Sequence, residues 1–185
     1  MNWQIDYQHA YVGFTGRHLM VANVRGEFEK FSATVNFDEE DITRSSVEVQ
    51  IEAASVKTRN TDRDNHFRSA DFFEVEKYPY IYFKSKKVVI KDANNGQLTG
   101  DLTIKGITRE VVLELEYSGT ALTPFQTYSA GFSLRTKVDR RDWNLNWNTV
   151  LAGGGLVASN EINLIIDFEL TRPVEAILPS EVGAA

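Results

Sequence analysis

Cysteine is absent from the chain, and with it go any disulfide framework and any thiolate chemistry. An excess of basic charge is also missing. Twenty lysines and arginines face 26 aspartates and glutamates, for a formal charge of -6 and a pI near 5.1. That balance excludes general nucleic-acid binding, which needs a basic face to release counterions, so no nucleic-acid partner is expected. No apolar run approaches the roughly 20 residues that span a bilayer, and no stable membrane insertion is expected. The opening Met1-Asn2-Trp3-Gln4-Ile5-Asp6 has neither the basic stretch nor the apolar stretch of a secretory signal. As written, the chain is expected to be soluble and cytoplasmic; a periplasmic protein whose signal had been removed reads the same way.

Catalytic signatures are lacking as well. There is no Gly-x-Ser-x-Gly elbow and no phosphate-binding loop. Gly153-Gly154-Gly155 lacks the strand-to-helix setting of a dinucleotide loop and reads as a flexible hairpin or barrel corner. The three histidines, His9, His18 and His66, show no pair one helical turn apart, so no metal site and no resident cofactor are expected.

What the chain does contain is enough apolar material for a real core: 42% apolar against 25% charged residues over 185 positions. Alternation dominates. Val111, Leu113, Leu115 and Tyr117 share one face, against Glu114 and Glu116. Ile162, Leu164, Ile166, Phe168 and Leu170 repeat the pattern, as do Val47, Val49 and Ile51. So do Phe31, Ala33, Val35 and Phe37, then Leu98, Leu102 and Ile104, then Tyr128, Ala130, Phe132, Leu134, Thr136 and Val138. Period-2 patterning marks half-buried antiparallel strands. Turn residues fall between the runs: Asp92 to Gly96 as a hairpin, Lys105-Gly106 before the next strand, Gly119 and Pro124 around another loop. About eight strands follow from these rules. They predict an all-β fold, a barrel or sandwich, in one domain over residues 1–172 with a loosely attached tail at 173–185. The longest strands make a deep interior, and periodicity alone leaves it either filled or hollow.

Two segments break the alternation. Arg17 to Val21 reads as a helical turn. Thr61 to Val75 reads as one short helix, near residues 62–70, with Thr61 as N-cap and Asp62 and Asp64 in the first turn. Asp64 and Arg68 stand four apart, as do Arg63 and Phe67. One reading makes this a helix held to a barrel mouth by Phe67, Phe72 and Phe73, with Asp64–Arg68 a surface ion pair. The other makes it an anion site, since guanidinium groups suit bidentate phosphate contact. Arg140-Arg141-Asp142 with Trp143 and Trp147 forms either a second cap or, for the aromatics, part of the core.

Several blocks carry a resemblance. They begin with Trp3-Gln4-Ile5-Asp6 and His9, Val12-Gly13-Phe14, His18-Leu19-Met20-Val21 and Gly26-Glu27-Phe28. They continue through Arg63 to Ser69, Asp71-Phe72-Phe73, Tyr78-Pro79 and Ile81-Tyr82-Phe83. Gly100 to Arg109, Arg140 to Trp143 and the closing Glu161 to Glu169 complete the set. In this order they resemble the YceI-like, polyisoprenoid-binding family over nearly the whole chain. Where that family often has Phe-Gly, this chain has Trp143-Asn144.

The resemblance implies an extended lipocalin-like antiparallel β-barrel. It also implies a long-chain isoprenoid or fatty ligand in an apolar tunnel, pairing as a homodimer, and no catalysis. A polyprenyl pyrophosphate or an isoprenoid quinone is the expected ligand. The tunnel residues expected are Val12, Phe14, Phe28, Val49, Ile81, Phe83, Leu113 and Phe132, with Arg63, His66 and Arg68 on the head group. Two rivals stand beside this reading: a lipid-metabolising enzyme of the same fold using His66 and Asp64, and a filled-core barrel with a structural, stress-related role.

Overall fold

The computed structural model describes residues 3–150 and 157–174. The glycine run at 153–155 and most of the expected tail lie outside the described residues. The chain forms β1 (Gln4–His18), β2 (Ala22–Phe28), β3 (Phe31–Asn36), β4 (Ser46–Glu52), β5 (Val56–Lys57), α1 (Thr61–Arg68), β6 (Tyr80–Ile90), β7 (Asn95–Ile104), β8 (Ile107–Leu122), β9 (Thr127–Asp139) and β10 (Ala158–Pro173). All ten strands join one antiparallel sheet in the order β3-β4-β6-β7-β8-β9-β10-β1-β2-β5. The sheet curls round a single apolar interior as an incompletely closed lipocalin-like barrel.

The alternating faces fall as the sequence predicts. Leu98, Leu102, Val111, Leu113, Ala130, Leu134 and Leu170 point inward and are buried. Charged residues hold the outside, where Lys86 of β6 lies 2.6 Å from Asp101 on β7 and 3.1 Å from Glu110 on β8. Exposed pairs of this kind contribute little stability each.

Among the described residues, ten strands replace the eight or so expected. β2 escaped the pattern because Arg17 to Val21 was expected to be a helical turn. Instead β1 runs on to His18, and Leu19 and Met20 both take left-handed backbone, φ 51° and 59°, to turn the chain into β2. Consecutive left-handed residues match the twist of a hairpin rather than a helix. The two-residue β5 is too short for periodicity to detect. Lys105 (φ 50°) and Gly106 (φ 71°) make the same kind of turn between β7 and β8, where glycine carries no Cβ penalty. Gly119 does not open a loop: it sits at a bulge inside β8, between the Tyr117–Phe132 and Gly119–Gly131 pairs.

β2 and β3 are almost one strand, broken at Glu29–Lys30. The first half pairs with β1 and the second with β4. The break is pinned from the other side: Glu29 N–H donates to the Ser55 carbonyl (3.2 Å), Lys30 N–H to Ser55 Oγ (3.1 Å) and Glu52 N–H to the Lys30 carbonyl (2.9 Å). The ring is therefore laced at this level and parts below it, where β3 leaves β1.

Candidate functional site

Inside the curl lies a cavity with a volume of about 200 Å³. Its wall is carbon almost throughout, and the lining residues with polar side-chain atoms are Tyr11, Arg140, Trp143 and Asp167. Seven of the expected tunnel residues line it: Val12, Phe14, Phe28, Val49, Ile81, Phe83 and Leu113. Phe132 does not. It is buried behind Phe168, stacked at 5.1 Å between ring centroids, with Tyr117 at 5.2 Å and Phe37 at 5.3 Å. The face was right, but Phe132 belongs to an aromatic plug that seals one end of the barrel. Trp3 completes the plug, edge-on to Phe37 at 5.5 Å, its Nε1–H donating to Glu39 (2.8 Å). Arg172 lies over the Trp3 and Tyr128 rings at 5.2 and 4.6 Å and bridges to Glu39 at 3.0 Å.

The helix side closes the opposite end. Asn60, not Thr61, caps α1: its backbone is extended and its side chain accepts from Arg63 N–H at 2.9 Å. Phe67, Phe72 and Phe73 reach into the cavity wall as expected. Phe67 sits 5.9 Å from Phe14, and Phe73 5.6 Å from Phe28.

Arg63, His66 and Arg68 are brought together on this helix, but none of them lines the cavity. Arg63 donates from Nε to Thr58 Oγ1 (2.8 Å) and from Nη2 to the Thr58 carbonyl (2.6 Å). Arg68 donates to the carbonyls of Ala54 (2.7 Å) and Val56 (3.0 Å) and to Asn65 Oδ1 (3.0 Å). Both guanidinium groups thus bind the carbonyls of the 53–58 segment, which has too short a strand to satisfy them in a ladder. The expected Asp64–Arg68 surface pair is not formed. Asp64 is buried and accepts from Thr58 N–H (2.7 Å) and Thr58 Oγ1–H (2.6 Å). His66 Nε2 lies 2.9 Å from Asp71, and its ring stands perpendicular to Trp147 and Phe72 at 4.5 and 5.0 Å. The helix is a latch of the barrel end.

Sequence reasoning offered Arg140 only as part of a possible cap and gave no sign of its burial at the cavity wall. It is buried, with Nε donating to the Ser159 carbonyl (2.9 Å) and Nη1 to the Leu145 carbonyl, and burial pushes its pKa down. Trp143 beside it is core, 1% exposed, with Nε1–H donating to the Leu102 carbonyl (3.1 Å). Leu164 and Ile166 line the cavity too, and their alternation with Asn163 and Asp167 was a signal that could have found them. Tyr11 offered no such signal, because it follows a bulge. Between the Asp6–Glu169 and Tyr11–Asp167 pairs, β1 carries four residues and β10 one. In that bulge Asp6, His9 and Glu169 bring ligand-type atoms within 4.8 Å of one another, while His18 and His66 lie elsewhere.

A model of the YceI-like domain matches residues 3–170. The chain belongs to the YceI-like family. Protein YceI of Escherichia coli O6:H1 is 40% identical over 162 residues, which are 88% of this chain and 81% of that protein. The Campylobacter jejuni YCEI crystal structure superposes with a TM-score of 0.74 at 36% identity, covering 84% of this chain and 89% of that one. A polyisoprenoid-binding domain from Saccharophagus degradans, at 14% identity, shares the fold alone, with a TM-score of 0.64 over 94% of this chain and 99% of that domain. Family membership thus rests on sequence along nearly the whole barrel, and the curled sheet with its single short helix is the family's fold. No described helix is long and apolar enough to cross a membrane.

Proposed function

We propose that the protein binds the apolar tail of a long-chain amphiphile, a polyisoprenoid, inside its barrel, and shields or carries it. One observation carries this reading: the cavity wall is apolar along its whole length, although the sheet that forms it is amply charged outside. Left empty, an apolar cavity of about 200 Å³ costs on the order of 5 kcal/mol at roughly 24 cal/mol per Å³. That is a large fraction of the stability of an ordinary domain. A bound chain offsets it, since each buried methylene contributes about 0.8 kcal/mol. The S. degradans domain of the same fold is described as polyisoprenoid-binding, which favours an isoprenoid tail.

Binding is favoured over chemistry by where the candidate acid and base sit. Asp64 is turned onto Thr58 and His66 onto Asp71, and neither faces the cavity. The hollow interior likewise speaks against a filled-core structural role.

Native mass spectrometry of the purified protein, followed by organic extraction and lipid analysis, tests the proposal. A co-purifying polyprenyl lipid that is lost on denaturation is the expected result. A protein that carries nothing and takes up no added polyprenol or quinone overturns it.

A further inference from the structure

Aromatic side chains crowd both ends of the barrel among the described residues, Trp3, Phe37 and Phe132 at one and Phe67, Phe72 and Phe73 beside α1 at the other. The wall is open instead. β1 pairs with β2 only from Gly13–Glu27 onward, and no ladder joins β1 to β3. Residues Tyr7 to Ala10 are also out of register with β10 on their other side. Across the gap, Tyr7 Oη accepts from Ala33 N–H at 3.2 Å, and the Tyr7 and Phe31 rings lie 5.7 Å apart. A surface pocket occupies this seam. It shares Ala10, Tyr11, Val12, Phe28 and Phe31 with the cavity, and its outer rim carries Tyr7, Glu27, Glu29 and Lys30.

We propose that the seam between β1 and β3 is the entrance of the cavity, and that it holds the ligand's head, which is uncharged and hydrogen-bonding. The inference rests on the binding reading above. Moving the bulged segment of β1 breaks no ladder with β3, so opening here costs less than unlatching either end. Volume points the same way. The interior of about 200 Å³ is only modestly larger than an engineered cavity of roughly 150 Å³ that holds one benzene. A long chain therefore has to continue outward, and the seam pocket adjoins the cavity wall.

The charges on the rim select the head. Glu27 and Glu29 are carboxylates, and Lys30 lies 3.7 Å from Glu52. The helix arginines are committed to main-chain carbonyls, as is Arg140. No arginine is among the residues that line this pocket, so a diphosphate would find no guanidinium fork on the rim. Tyr7 is exposed, and its hydroxyl accepts from Ala33 N–H and keeps its own proton for a carbonyl or hydroxyl on the ligand.

The chain has no cysteine, so a cross-link can be placed at will. Ala10→Cys and Glu29→Cys, joined by a cleavable bis-maleimide, staple the seam; Lys87→Cys and Thr99→Cys, paired across β6 and β7, staple a closed part of the wall. Delipidated protein is given geranylgeraniol, its diphosphate or its amine, and uptake is followed in time. With the seam stapled, uptake of the alcohol is expected to slow about tenfold or more and to recover on cleavage, because local opening is blocked. The β6–β7 staple is expected to change nothing. The alcohol is expected to bind more tightly than the diphosphate or the amine. Equal uptake rates with and without the seam staple overturn the entrance while leaving the binding reading intact. Tighter binding of either charged probe overturns the head-group assignment. No uptake of any probe by the unlinked full chain overturns the binding reading, and the entrance with it.

Discussion

Arg68 shows how a residue's chemistry and its use diverge. A guanidinium four residues from a carboxylate on a short helix suits an ion pair or an anion site. Its neighbours here are carbonyls: Ala54 at 2.7 Å and Val56 at 3.0 Å. Charged hydrogen bonds of this kind contribute about 1.5–3 kcal/mol each, so Arg68→Ala is expected to lower unfolding stability by about 2–3 kcal/mol in denaturant titration. It is expected to weaken geranylgeraniol and geranylgeranyl diphosphate equally. A loss confined to the diphosphate would return Arg68 to the head group. The Asp6–His9 contact carries a pH dependence. Asp6 is held below its ordinary 3.8, first by the His9 hydrogen bond and then by Gln8 N–H. His9 is raised above 6.5 by Asp6, with Glu169 adding to the field. His9's contribution is complete below 6.5 and is lost as pH rises through its raised value; Asp6's is complete above 3.8 and is lost as pH falls through its lowered one. The bulge at Tyr7 to Ala10 is therefore expected to open more readily at about pH 8 than at about pH 5, read as amide hydrogen exchange corrected for its intrinsic rate. His9→Asn is expected to erase that difference.

At the scale of the element, register decides which contacts a strand can afford. Gly100 of β7 faces the Phe83 ring of β6, and a Cβ placed on it would stand 2.6 Å from the Lys84 carbonyl oxygen. Backbone cannot yield as a side chain can, so Gly100→Ala is expected to cost about 1–3 kcal/mol through overpacking. Chemical denaturation checks it; an unchanged midpoint would mean that β6 and β7 separate more easily than the ladder suggests. Most elements were legible beforehand. The faces of β4, β8, β9 and β10 follow from alternation alone, and the Asp92 to Gly96 and Lys105-Gly106 turns from turn chemistry. β2 was not, because Leu19 and Met20 adopt left-handed backbone that their side chains do not advertise. The bulge in β1 was not, because an unpaired residue is defined only by the partner strand it fails to match.

The whole molecule is a sheet that curls further than its hydrogen bonds follow. Its interior stays hollow because inward residues on opposite walls are held apart by the backbone. Filling it is therefore expected to be tolerated. Val49→Phe places extra carbon in free space, so its stability is expected to stay within about 1 kcal/mol of the parent rather than to suffer the usual overpacking loss. Uptake of geranylgeraniol by the same variant is expected to fall. Thermal melts and equilibrium binding, measured together, separate the two effects: an unfolded variant would show that the walls already touch at Val49.

The sequence by itself determined the all-β class, the inward faces and the family. Each of these depends on neighbours one or two positions apart, or on blocks in a fixed order. Docking of the short helix by Phe67, Phe72 and Phe73 was one of two readings it left open. Only the tertiary structure decided that the interior is hollow, that Phe132 plugs an end instead of lining the cavity, and that Arg63 and Arg68 are bound to main-chain carbonyls. Only it decided that β1 and β3 part to leave a seam. These outcomes turn on distances between segments far apart along the chain, such as Tyr7 against Ala33. The physical reason is that a side chain's partner is whatever the fold brings within about 3 Å of it, and local sequence carries no record of that distance.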